Sequence, residues 1–128
     1  MSYEIKGLNE ECGVFGVFGA ENASQLTYFG LHSLQHRGQE GAGIVSSDGD
    51  RLHQHRDRGL LAKVFADEKD LLRLTGDSAI GHVRYGTSGN NSINNIQPFL
   101  FRFHDGDVAL AHNGNLTNAV TLKRDLED

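Results

Sequence analysis

Two Asp-Gly pairs, Asp48-Gly49 and Asp105-Gly106, each separate two short β-prone runs. Such pairs supply the positive φ that a tight hairpin turn needs, so each predicts two adjacent antiparallel strands. The first predicted hairpin joins residues 42–47 to 51–56, and the second joins Phe99–Phe103 to Val108–His112. Sixteen glycines and one proline punctuate the rest into short elements. Strands are predicted over 12–19 and 78–85. Asn22 to His36 reads as a helix, with Asn22 as its cap and Gln25 at the third position. Ala23, Leu26, Gly30, Leu31 and Leu34 give it a face at helical spacing. A shorter helix is predicted from Asp67, its cap, to Leu74, with Gly76 just past the end. Gly86 to Gln97 reads as a polar loop that Pro98 ends, and Leu116 to Leu126 as a final helix with Leu116, Ala119, Val120 and Leu126 on one face. Antiparallel strands with flanking helices predict a layered α+β domain.

Composition narrows the function. The 128 residues suffice for one small domain, and 38% hydrophobic with 23% charged residues is ordinary for a globular chain. A formal net charge of −5 argues against a nucleic-acid partner, which normally asks for a basic face. No apolar run approaches the roughly 20 residues of a membrane span. The first eleven residues lack the apolar stretch of a secretory signal. One cysteine leaves no internal disulfide and no cysteine-only metal or iron–sulfur site. The cytoplasm is the expected compartment.

That cysteine, Cys12, stands at the head of the apolar run Val14 to Phe18. By position alone it reads first as a small buried hydrophobe, the default for a single cysteine. If Met1 to Glu11 were removed, however, it would carry a thiol and a free α-amine on one residue. The amine titrates near ~7.7–8.0 and could take the thiol proton near neutral pH, a nucleophile and base in one unit. His53 and His55 lie two apart and Asp57 continues the alternation, but no cysteine is near. The set reads as a solvated strand face rather than a metal site, which wants three or four supported ligands. Gly38, Gly41 and Gly43 are not followed by Gly-Lys-Ser/Thr, so they form no phosphate loop.

Three further segments complete the pattern: Leu34-Gln35-His36-Arg37-Gly38-Gln39-Glu40-Gly41-Ala42-Gly43-Ile44, Gly81-His82-Val83-Arg84-Tyr85-Gly86-Thr87 and Ala111-His112-Asn113-Gly114-Asn115-Leu116. With Cys12-Gly13-Val14-Phe15-Gly16 they resemble, in order and spacing, the glutamine amidotransferase domain of the N-terminal-nucleophile (Ntn) hydrolases. Within that group the match is closest to the branch that opens de novo purine synthesis. The His36-Arg37-Gly38-Gln39 form and the short leader before Cys12 point there rather than to the sugar-phosphate aminotransferases. A catalytically silent glutamine-binding module is a third reading, which the presence of Cys12, Arg84, Asn113 and Gly114 together disfavours.

The resemblance implies a four-layer αββα sandwich, of which this chain holds the N-terminal part. It implies that residues 1–11 are a self-removed propeptide and that 12–128 are a shortened glutamine amidotransferase domain. Cys12 is then the nucleophile, and the chain still joined to Glu11 is an inactive precursor. Asn113 and Gly114 are the implied oxyanion hole, although Asn-Gly is also a common turn pair. Arg84, with Thr87 helping, is implied to hold the glutamine α-carboxylate, a task that suits a guanidinium fork; a structural salt bridge is the alternative. Tyr85 is open between core and pocket wall, and Arg37 between support of the site and a structural ion pair. The resemblance places no metal in this chain. Phosphoribosyl pyrophosphate, Mg2+, any iron–sulfur cluster and the carboxylate for the glutamine α-amino group fall in an absent downstream part. It also implies that the full-length enzyme is a homo-oligomer.

Overall fold

The computed structural model of the protein describes residues 12–34, 39–85, 93–112 and 117–123. Its elements are β1 (Cys12–Phe18), α1 (Ala23–Leu34), β2 (Gln39–Ser47), β3 (Leu52–Arg58), α2 (Leu61–Val64), α3 (Glu68–Leu72), β4 (Ser78–Tyr85), a 3-10 turn (Ile93–Asn95), β5 (Phe99–Phe103), β6 (Gly106–His112) and β7 (Thr117–Lys123). The strands form two antiparallel sheets, in the order β1-β4-β2-β3 and β5-β6-β7.

Both expected hairpins are present. The first is held at its turn by Asp48, whose carboxylate accepts from the Asp50 and Arg51 amides at 2.8 and 2.7 Å and meets His53 Nε2 at 2.8 Å. The His53 contact, followed by those two amides, holds the Asp48 carboxyl well below the usual carboxylate range. Asp67 caps α3 as expected, accepting from Lys69 N at 3.0 Å.

The first sheet is packed on both faces, and β4 shows how. Ala79, Val83 and Tyr85 join a core with Ala23 and Leu31 of α1 and with Leu61, Val64, Phe65 and Leu74. Ile80, on the opposite face, joins a second core between the sheets with Val14, Val45, Ala109, Ala111, Val120 and Leu122. This is the period-2 alternation of a strand buried on both sides. Helix α1 comes close because Gly81 lies under Thr27 and Leu31, where a Cβ would come within 2.7 Å of both side chains. Truncating a fully buried residue such as Ile80 to Ala would cost about 2–5 kcal/mol. Helix, sheet and sheet are three successive layers of the αββα sandwich.

Three expectations need correction. Residues 117–123 are the strand β7, paired along its length with β6, not part of a helix. Val120 and Leu122 are buried while Ala119 and Thr121 are exposed, so the segment also alternates with period 2, and the open edge of β6 decides between the two patterns. The buried stripe of α1 is Ala23, Ser24, Thr27 and Leu31; Leu26 is exposed. Ser24 can be buried because its hydroxyl donates to Leu74 O at 2.6 Å. His53 and His55 are half-buried rather than solvated, with His55 Nε2 2.9 Å from Val64 O and its ring 5.0 Å from that of Phe65. The short helix α2 was not expected.

Candidate active site

Sheet order brings the first residue of β1 to the last turn of the central strand. In the β1–β4 register Cys12 stands directly across from Arg84. On the other side of β4, Arg84 faces Gly41, next to a bulge between Gln39 and Gly41 that ends the regular pairing of β2. The nucleophile candidate and the carboxylate-clamp candidate are thus backbone neighbours, although 72 residues separate them in the sequence.

Arg84 lies on the inter-sheet side of β4, two residues from His82 and four from Ile80. Its Nη1 approaches Asn95 O at 3.5 Å. Tyr85 takes the other face: it joins the helix-side core, and its hydroxyl donates to Leu34 O at 3.1 Å, at the end of α1. Tyr85 therefore anchors the end of the helix from which the Gln35-to-Gly38 segment departs. Arg37, Thr87, Asn113 and Gly114 lie outside the described residues. The chain reaches the last two from a fixed point, since His112 ends β6 and pairs with Thr117. Residues 113–116 thus connect two paired strands, where a strand-to-helix junction was expected.

His82 was not singled out in the sequence. It is completely buried, flanked by Val14 on β1 and Gly43 on β2. Burial, with the nearby charges of His112 and Arg84, pushes its pKa down to about 4, against an opposing pull from the His112 backbone. The ring therefore stays neutral near pH 7. It approaches the His112 backbone without reaching good hydrogen-bond geometry. Its alternation with Arg84 in Gly81-His82-Val83-Arg84 was the available signal.

Gln97 is the second residue the sequence did not flag. Its buried side chain accepts the His112 N–H at 2.7 Å, just before Asn113. Two open cavities lie elsewhere. One of about 320 Å³ is lined by Asp50, Arg51, His53, Arg102 and Asp107; the other, of about 280 Å³, by Phe103, Val108 and Thr121 among others. Both flank the far ends of the sheets, away from Cys12 and Arg84. Among the described residues, no group of three or more His, Cys, Asp or Glu side chains could hold a metal ion. No helix among them is long and apolar enough to cross a membrane.

Residues 69–127 match the family model described as glutamine amidotransferases class-II. An amidophosphoribosyltransferase of Lacticaseibacillus casei is 59% identical over 128 residues, covering 100% of this chain and 66% of the relative. That of Bacillus subtilis (strain 168) is 59% identical over 129 residues, covering 100% of this chain and 27% of the relative. A solved structure described as the allosteric regulatory enzyme of purine biosynthesis superposes with a TM-score of 0.72 at 55% identity, over 77% of this chain and 21% of that one. The chain therefore spans just under two thirds of the first relative and about a quarter of the second.

Proposed function

Because this chain belongs to the class-II glutamine amidotransferases, we propose that it is the ammonia-producing portion of an amidophosphoribosyltransferase. The reading is carried by the register that sets Cys12 across from Arg84 at the end of the central strand.

The chemistry follows from that placement. Removal of residues 1–11 frees the Cys12 α-amine, which takes the thiol proton as sulfur attacks the side-chain amide carbon of glutamine. The Arg84 guanidinium binds the α-carboxylate with Thr87 beside it, fixing the distance between that carboxylate and the reacting carbon. Asn113 and Gly114 donate to the oxyanion of the tetrahedral intermediate. The C–N bond then breaks, the amine returns its proton to the leaving nitrogen, and ammonia departs. Water, deprotonated by the same amine, hydrolyses the thioester to release glutamate and regenerate the thiol. Tyr85 and Arg37 act at one remove, Tyr85 by holding the end of α1.

Ammonia would then replace pyrophosphate on phosphoribosyl pyrophosphate to give 5-phosphoribosylamine, in the longer part of the relatives that this chain does not span. Magnesium and any iron–sulfur cluster belong to that part. A homo-oligomeric cytoplasmic enzyme fits the same reading.

The test is intact mass and N-terminal sequencing of the full-length protein, with labelling by a glutamine-like diazo ketone. A start at Cys12 and a single adduct on its sulfur are expected. A protein intact to Met1 that still hydrolyses glutamine at the rate of a processed sample would refute the thiol–amine mechanism.

A further inference from the structure

The segment from Ile93 to Pro98 is tied down from several directions. Ile96 O accepts from Arg56 Nη1 at 2.8 Å, and Pro98 O accepts from Gln54 Nε2 at 3.1 Å, both from β3. It also lies tightly over β2: a Cβ at Gly43 would overlap Gln97 O and press on the Pro98 ring, and one at Gly41 would press on Ile96. The segment is a fixed strap, and two of its residues meet different arms of the candidate site. Asn95 O lies against Arg84, and the Gln97 side chain holds the end of β6.

The Gln97 contact has a specific form. The β5–β6 register pairs Phe99 with Leu110, so its continuation would set Gln97 across from His112. The backbone bends at 96–98 and the ladder pairing starts only at Phe99, so the side-chain oxygen of Gln97 accepts the His112 N–H in place of a ladder carbonyl. The peptide it holds is one residue from Asn113. We propose that Gln97 is a positioning residue for glutamine hydrolysis: its side-chain oxygen fixes the His112 peptide, the point at which the chain leaves β6 for the Asn113-Gly114 pair assigned to the oxyanion above. This rests on the glutaminase reading above and adds to it a residue that touches neither substrate nor nucleophile.

Two substitutions in the full-length protein separate this role from simple packing. Gln97→Asn withdraws the oxygen by one methylene; Gln97→Glu keeps an acceptor oxygen at the same reach. The readouts are kcat and KM for glutamine hydrolysis, with the thermal midpoint as a check on folding. With that anchor displaced by roughly 1 Å, Gln97→Asn should lower kcat about 10²-fold and leave KM within about threefold, because Arg84 still binds the carboxylate. Gln97→Glu should stay within about tenfold of the parent kcat, a loss no larger than one weakened positioning contact. A folded Gln97→Asn protein with parental kcat overturns the proposal, as does a Gln97→Glu protein that falls as far as Gln97→Asn. A processed parent without glutaminase activity overturns the proposed function itself and takes this inference with it. That result is distinct from an active parent whose variants are indifferent.

Discussion

Acidification from pH 7 to pH 5 should destabilise this fold through one residue, His82. Its ring is fully buried between β1 and β2 in the inter-sheet core, facing Arg84 and His112. The folded pKa is about 4 against an ordinary value of 6.5. Between those values the unfolded chain binds a proton that the folded chain refuses, so stability rises with pH. The contribution is fully present above pH 6.5 and drains away as pH falls towards 4. At pH 5 the gap of 1.5 units, at 1.36 kcal/mol each, amounts to about 2 kcal/mol. The Asp48 carboxyl is also held low, but its contribution is lost only below its ordinary 3.8, outside this window. His82→Leu removes the proton site while keeping an apolar filler, so the variant should lose about 2 kcal/mol less than the parent on the same step. Urea melts of both proteins at pH 7 and pH 5 measure the difference, which corresponds to about 1 M in midpoint for an m-value near 2 kcal/mol/M. Equal pH dependence in parent and variant would refute the reasoning, as would a His82 ring titrating near 6.5 by NMR.

Arg84→Lys keeps the charge but loses the planar fork, and should raise KM for glutamine at least about tenfold while kcat changes less; steady-state glutaminase kinetics decide it. Asn113→Ala should lower kcat by ~10²–10³ with little change in KM, and an unchanged kcat would remove Asn113 from the oxyanion site. Gly76→Ala should destabilise the fold by more than about 1 kcal/mol. At φ 119° its Cβ would be strained and would collide with the Ser47 carbonyl at the end of β2. A thermal midpoint within a degree of the parent would contradict that.

The sequence disclosed those elements whose cause is local. The Asp48 turn is made by its own carboxylate within three residues, and Asp67 caps α3 the same way, so both were legible. The β7 segment was not, because Thr117 to Lys123 satisfies two periodicities and only the distant β6 edge selects one. The same holds for α1: Ser24 is buried through Leu74, fifty residues away, and no pattern within the helix announces that bond.

The candidate site divides along the same line. The types of chemistry were readable from short motifs: a lone thiol after a polar leader, an arginine ending a buried strand, an Asn-Gly pair after another. Their assembly depends on the strand order β1-β4-β2-β3, which places the central strand beside β1 although three helices and two strands intervene. The register Cys12-to-Arg84 follows from burial on both faces of β4, because a slip by one residue would exchange Ile80 and His82 with Val83 and Tyr85 between the two cores. Gln97 and His82 went unnoticed for the complementary reason. The thiol–amine chemistry calls for neither, and each gains meaning only from what the fold sets beside it, the His112 peptide in both cases. The active arms are thus written in local motifs, while the spacing between them is written in buried residues that no motif distinguishes. Substitutions in the second group should therefore spare KM and lower kcat, the opposite of the signature expected at Arg84.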